Sequence, residues 1–401
     1  MVEPAPAVTD PALIPPFDLA PVAAVPAAAW PQERQRLLEL FRHHVYGRAP
    51  STGWTLAARI HREDAQAYGG LAVRSEILAT LATPRGERSF RILVHRPAHS
   101  AGPVPLLLEL NFAGNHATVP DDWPTLTNAW VPAREDAGSP AGAARDCDRG
   151  MLARRLPVAE TFAAGFAVAT VYAGELEPDR PDGWRDGIRA LFPDPDPATA
   201  PDDAWGTLAV WSFGLSRTLD AVLATLPMLD AGRLGVIGHS RMGKAALWAG
   251  AQDERFALTV SNDSGCTGAA IARRRFGERQ AIMNRSFPHW CARTYRTFDE
   301  READLPIDQH HLLALIAPRL LHVGSAADDL WADPDGELLA CVHAAPAWDL
   351  LGVPGFSPVP DPLPLAGWFG RRVTYHRRPG PHDILAVDWH RVVAAARANG
   401  W

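Results

Sequence analysis

The chain has 401 residues, 47% of them apolar, and a formal net charge of −7. That is enough material for a large buried core, and every apolar run is too short or too broken by Pro, Gly or charge to span a membrane. The acidic balance and the lack of a basic tract argue against nucleic acid as a partner, and a membrane is not an expected partner either.

The first six residues, Met-Val-Glu-Pro-Ala-Pro, lack the basic start and apolar block of a secretory signal. The expectation is a protein that stays inside the cell, or one whose signal is removed ahead of Met1. Residues 1–29 are Pro/Ala-rich and without periodicity, which predicts an extended arm laid along the domain. The spacing at 32–44 predicts an amphipathic helix. Residues 54–62, 71–79 and 90–96 alternate like strands, with turns at Gly69-Gly70 and at 84–86, so the sheet is expected to begin antiparallel.

From residue 104 the pattern changes. Residues 104–110 form a buried strand, followed by the loop Asn111-Phe112-Ala113-Gly114. That loop is either one wall of a site or a tight turn closed by Asn side chains. A polar excursion at 117–149 is expected on the surface. A helix at 157–164, a strand at 167–172, an Asp/Pro-rich insertion at 174–203 and a long helix at 205–226 follow. Strands at 256–260, 319–323 and 372–376, and a terminal helix at 392–398, complete the chain. Strands alternating with helices predict a doubly wound, mostly parallel sheet, and residues 30–401 read as one catalytic domain of the α/β-hydrolase class with long loop insertions.

The organising stretch is 234–251. A short apolar strand, the tight turn Gly238-His239-Ser240-Arg241-Met242-Gly243 and a helix place a serine at a strand–helix apex, as in a nucleophile elbow. The usual pattern is G-x-S-x-G, and here the second glycine falls one place late. Such a turn exposes the hydroxyl and aims the Arg241 N–H and the positive end of the helix at one spot. Arg241 adds a cation beside Ser240, and Lys244 follows one turn later. That pairing suits an ester whose acid half is polar or anionic; the plain alternative is a Gly-rich turn that binds phosphate.

A serine nucleophile needs a base and an acid to orient it, in the order Ser, acid, His along this fold. His382 lies in the loop after the last strand. His310 and His311 precede an apolar helix and read as structural, His376 lies inside a strand, and His239 is locked beside the elbow. Two acids qualify, Asp263 and Asp329, each at the end of a strand, and either could instead be a turn residue. Asp333 and Asp335 look like helix-start residues. The four cysteines, Cys147, Cys266, Cys291 and Cys341, have no metal-ligand spacing, which leaves one or two disulfides open. No metal and no organic cofactor is expected.

Taken together, the elbow, Asn262-Asp263-Ser264-Gly265-Cys266, Arg275-Phe276-Gly277-Glu278, the run from Asp329 to Pro334 and Gly380-Pro381-His382-Asp383 resemble the glucuronoyl esterases, carbohydrate esterase family 15, in its bacterial branch. The similarity runs from about residue 104 to the C-terminus and includes Phe287-Pro288-His289-Trp290. It implies a serine esterase that cleaves esters of (4-O-methyl)-D-glucuronic acid, as in lignin–glucuronoxylan cross-links. By this resemblance Ser240 is the nucleophile, His382 the base and Arg241 an oxyanion stabiliser, while Lys244, Glu278 and Trp331 hold the uronate. Family members place the acid at either of two strands, and this chain has Asp at both, Asp263 where fungal members have Glu. Fungal members also carry bridged cysteines where His239 and Asp383 stand here, and the family pattern leads one to expect Gly where Thr267 stands and an aromatic where Cys291 stands. The rival readings are an acetyl (xylan) esterase on the same fold and a carbohydrate-binding protein without turnover.

Overall fold

The structure, a computed structural model, describes residues 7–22, 24–133, 141–365 and 367–401. The first six residues, on which the signal-peptide expectation falls, and residues 134–140 of the excursion at 117–149 lie outside the described residues. Strands β1 (Thr55–Gln66), β2 (Ala72–Thr83), β3 (Gly86–Pro97), β4 (Val104–Asn111), β5 (Ala167–Tyr172), β6 (Leu229–His239), β7 (Leu258–Asn262), β8 (Leu320–Ala326), β9 (Phe369–Gly370) and β10 (Val373–Arg378) form one sheet. Its order is β1-β2-β3-β5-β4-β6-β7-β8-β10-β9. The first three strands are an antiparallel meander joined antiparallel to β5; the run from β5 through β10 is parallel, and β9 pairs antiparallel at the far edge.

Burial explains the order. Every residue of β4 and β5 is buried, as the continuous apolar runs of a two-sided central strand require. The outermost β1 is exposed or half-buried throughout and carries Arg59, Arg62, Glu63 and Asp64, charges that discourage pairing at a free edge.

The helices that bear on the site are α1 (Trp30–Phe41), α2 (Val158–Ala163), α3 (Thr207–Thr225), α4 (Arg241–Gln252), α5 (Gln280–Ser286), α6 (Gln309–Ala314), α7 (Pro334–Ala344) and α8 (Ala386–Ala398). Leu208, Trp211, Leu215 and Leu219 of α3 share one core cluster with Leu247 and Trp248 of α4. Phe162 of α2 and Trp389 and Val392 of α8 share a second with Val168 and Ile237. Helices therefore cover the sheet in two separate layers, an α/β-hydrolase arrangement. Among the described residues no helix is long and apolar enough to cross a membrane.

The structure corrects several expectations. The terminal helix begins at Ala386 rather than 392, because Asp388 accepts from the Leu385 N–H at 2.8 Å and closes the first turn. Helix α1 passes into a wider turn at Arg42–Tyr46. The excursion at 117–149 is not simply surface: Thr118, Val119, Thr127 and Val131 are buried, and the Thr127 hydroxyl donates to Glu175 at 2.7 Å. His310 and His311 lie inside α6 rather than ahead of it, with structural partners, the carbonyl of Ala20 and the N–H of Asp308. All four cysteines are free thiols.

Candidate active site

Parallel strands end on one side of the sheet, where ligands of open α/β folds bind. The residues that follow β4, β6, β7, β8 and β10 bring Phe112, Ser240, Asp263, Asp329 and His382 to that side. Ser240 has φ 57° and ψ −131°, outside the regions an L-residue prefers. The strain is held by a bond from its N–H to the Asn262 carbonyl at 2.8 Å and by the Gly243 and Lys244 N–H groups on its own carbonyl at 2.9 and 3.2 Å. A Cβ on Gly238 would lie 2.0 Å from the Met242 carbonyl oxygen, and one on Gly243 would lie 3.0 Å from the Gly238 carbonyl oxygen and the Ser264 Cβ. The displaced glycine is thus the one that lets α4 approach the turn after β7. As the first residues of α4, Arg241 and Met242 have no intrahelical acceptor for their N–H groups.

His382 Nδ1 lies 2.5 Å from Asp329 Oδ2. Asp263, the other acid, sits at φ 45° and accepts the Ala326 N–H on Oδ1 at 2.5 Å. Its Oδ2 has no hydrogen bond among the described residues, and the Arg378 guanidinium stands 3.6 Å away. Burial, reinforced by Glu337 and Asp329, pushes the Asp263 carboxyl well above its ordinary range. Ligand atoms of Asp263, Asp329 and His382 all lie within 4.8 Å of one another, the spacing of a metal site; Arg378 supplies the positive charge on the Asp263 side. Glu337, buried in α7, accepts the N–H groups of Ser264 and Gly265 at 2.8 and 3.0 Å and the Ser325 hydroxyl at 2.5 Å. It ties the turn after β7 to the end of β8, and burial pushes its carboxyl up to about 7.

Where the fungal pattern has bridged cysteines, two separate contacts stand. The His239 ring lies 4.5 Å from the His382 ring, centroid to centroid, with its Nδ1 2.7 Å from Asn262 Oδ1. Burial, with His382 and Arg155 adding, holds His239 well below the ordinary histidine range, so it backs His382 as a neutral ring. Asp383 pairs with Arg154 and with Arg155.

Two cations of α4 border the same space. Arg241 Nη1 donates to Asp179 Oδ2 at 2.6 Å, its guanidinium lies 5.0 and 4.9 Å from the ring centroids of Phe287 and Trp290, and its Nε–H is buried without a partner among the described residues. Lys244 is buried rather than a solvated helix lysine. Its ammonium donates to the Cys266 carbonyl and, at 3.0 Å, to Glu278. Trp331 is 47% exposed at the rim, and its carbonyl accepts the Glu278 N–H at 2.8 Å.

Two cavities share Ser240, Arg241 and His382. One, about 460 Å³, adds Lys244, Asp263, Glu278, Trp290, Asp329 and Trp331. The other, about 420 Å³, adds Phe112, Ala113, Arg155, Tyr172 and Asp179. Both readings of the loop after β4 hold: Asn111 closes the turn by accepting the Gly114 N–H at 2.9 Å, and Phe112 and Ala113 line the cavity. Every residue singled out in the sequence as nucleophile, base, acid, oxyanion stabiliser or uronate ligand borders the 460 Å³ cavity. Sequence reasoning missed Asp179, Arg155 and Glu337. Asp179 lies in the insertion at 174–203, where nothing local marks it among other acids.

A family model described as glucuronyl esterase, fungi, matches residues 200–352. A carbohydrate esterase from an unknown prokaryotic organism is 39% identical over 360 residues, 89% of this chain and 82% of its own length. The 4-O-methyl-glucuronoyl methylesterase of Hypocrea jecorina is 35% identical over 157 residues, 37% of this chain and 34% of its own. Among solved structures, a glucuronoyl esterase from Solibacter usitatus is 37% identical with a TM-score of 0.89, covering 97% of this chain and 100% of that one. A promiscuous esterase of carbohydrate esterase family 15 from a marine bacterial metagenome is 36% identical with a TM-score of 0.90, covering 98% and 100%.

Proposed function

The chain belongs to the glucuronoyl esterases, carbohydrate esterase family 15, and is a carboxylic ester hydrolase; on that premise we propose that it cleaves esters of (4-O-methyl)-D-glucuronic acid, as in lignin–glucuronoxylan cross-links, with Ser240, His382 and Asp329 as its catalytic residues. The observation that carries the reading is the 460 Å³ cavity that Ser240 and His382 line together with Arg241 and Lys244. A cationic wall beside the nucleophile, with Lys244 buried and Arg241 half-buried, serves a polar acyl half and has little use for an acetyl group.

Asp329 keeps the Nδ1–H tautomer of His382, which leaves Nε2 to take the Ser240 proton. The Ser240 oxygen then bonds to the ester carbonyl carbon, and the carbonyl π pair moves onto oxygen. That oxyanion is met by the Arg241 guanidinium and by the first N–H groups of α4. As the C–O bond to the alcohol breaks, His382 returns the proton to the leaving oxygen. Water, deprotonated by the same imidazole, then releases the uronic acid and restores Ser240. Lys244 and Glu278, paired inside the cavity, offer a donor and an acceptor to ring hydroxyls, and Trp331 offers an apolar face at the rim.

The test is hydrolysis of the benzyl or methyl ester of glucuronic acid with para-nitrophenyl acetate alongside. Uronate turnover should exceed acetate turnover, and Ser240→Ala should abolish both. Turnover of the acetate alone would retain Ser240 and His382 and sink the uronate assignment. Failure of a serine-reactive phosphonate to label the protein would instead favour a binder without turnover.

A further inference from the structure

Arg241 does not reach its position by itself. Its side chain is long and 30% exposed, and such a chain loses rotamer freedom only where something holds it. Asp179 is what holds it. One carboxylate oxygen, Oδ2, accepts from Arg241 Nη1 at 2.6 Å; the other, Oδ1, accepts from His289 Nε2 at 2.9 Å and Trp290 Nε1 at 2.7 Å. The carboxylate is itself fixed, because its two aromatic partners belong to the segment after α5, where Phe287 and Trp290 stack at 3.8 Å and 2°. The guanidinium lies beside both of those rings.

We infer that Asp179 is a positioning residue for the reaction: it fixes the Arg241 guanidinium so that the remaining donors face the developing oxyanion. This rests on the role proposed for Arg241 above. Asp179 occupies Nη1, and the Nε–H is left without a partner among the described residues. A carboxylate bonded this way orients the cation, as the acid of a triad orients its histidine, and pre-set donors cost no reorganisation when charge develops. An amide in its place could not do the same. Three donors converge on Asp179, and an amide has one accepting oxygen. With that oxygen kept by His289 and Trp290, the amide N–H₂ of Asp179→Asn would face Arg241, donor against donor.

The test is a double-mutant cycle of Asp179→Asn and Arg241→Ala, with methyl glucuronate turnover normalised to the sites a phosphonate labels. Arg241→Ala should lower kcat on the order of a hundredfold. Asp179→Asn should lower kcat about tenfold with KM within about twofold, and the double variant should be no slower than Arg241→Ala alone, since Asp179 acts only through the guanidinium. Multiplying losses in the double variant, or wild-type kcat in Asp179→Asn while Arg241→Ala is impaired, would overturn the inference and leave the role of Arg241 standing. Wild-type kcat in Arg241→Ala would overturn both. Labelled-site normalisation keeps the comparison valid if a variant folds less completely.

Discussion

Two acids lie near His382, and at the scale of single residues their surroundings separate them. Asp329 Oδ2 is 2.5 Å from the imidazole; Asp263 spends one oxygen on the Ala326 N–H and is driven by burial toward its neutral form. Loss of the orienting acid in a triad costs on the order of 10⁴ in kcat. Asp329→Asn should therefore lose about three to four orders of magnitude, whereas Asp263→Asn should lose less than about tenfold. Equal losses in steady-state assays would show that the two acids share the work. Glu278→Gln should act differently again. It keeps the side-chain volume but removes the charge facing Lys244 at 3.0 Å, so kcat/KM for the uronate should fall at least about tenfold while acetate hydrolysis changes less than about threefold. Ser240 is legible in the sequence because an elbow is made by consecutive residues. Asp179 is not, because its partners Arg241, His289 and Trp290 lie 62, 110 and 111 residues away.

Local order also decides which elements could be read in advance. The buried runs of β4 and β5 carry their own pattern, and β5 lies at the residues expected of it. The buried part of the excursion at 117–149 carries none, since Thr127 is interior where the distant Glu175 receives its hydroxyl and Val119 packs with Leu107, Val168 and Ile237. In the turn after β7, Thr267 stands where the family pattern has glycine, at φ 60° and fully buried. A β-branched residue in the left-handed region is strained by about 1–2 kcal/mol. The segment tolerates it because the Thr267 carbonyl accepts the Tyr46 hydroxyl at 2.7 Å and Thr267 Oγ1 lies 3.1 Å from the Tyr295 hydroxyl. Replacing the threonine separates the two effects. Thr267→Ala keeps the strain and loses the side-chain bond, whereas Thr267→Gly loses both. The glycine variant should exceed the alanine variant in stability by about 1 kcal/mol in denaturant unfolding, and an alanine variant as stable as the glycine one would show that the turn is not strained.

Across the whole molecule, buried histidines and buried acids together set how stability responds to acid. Burial holds His95 and His311 down to about 3 and His116 to about 4, and lowers His239 and His322 well below the ordinary range. The unfolded chain takes up a proton at each as pH falls through about 6.5, while the native protein does not, so each site favours unfolding by about 1.4 kcal/mol per pH unit below that point and is neutral above it. Buried acids oppose this. Glu109 and Glu337 keep their protons up to about 7 while the unfolded chain releases them near 4, so these two add stability as pH falls from about 7 toward about 4.5; Asp263, raised by burial, acts in the same sense. Glu175 is raised by burial in the same way, so buried acids and buried histidines act in opposite senses, and each buried histidine takes up about one proton on unfolding below about pH 6. The histidine contribution to stability falls as pH drops through about 6.5. His95 is the residue with which to test the origin of the slope, because neither ring nitrogen has a hydrogen-bond partner among the described residues and the ring packs edge-on to Tyr68 at 5.7 Å. His95→Phe should flatten the pH dependence of the urea-unfolding free energy by about one proton, whatever it does to the absolute stability. Parallel slopes for the variant and the parent would mean that His95 titrates alike in both states.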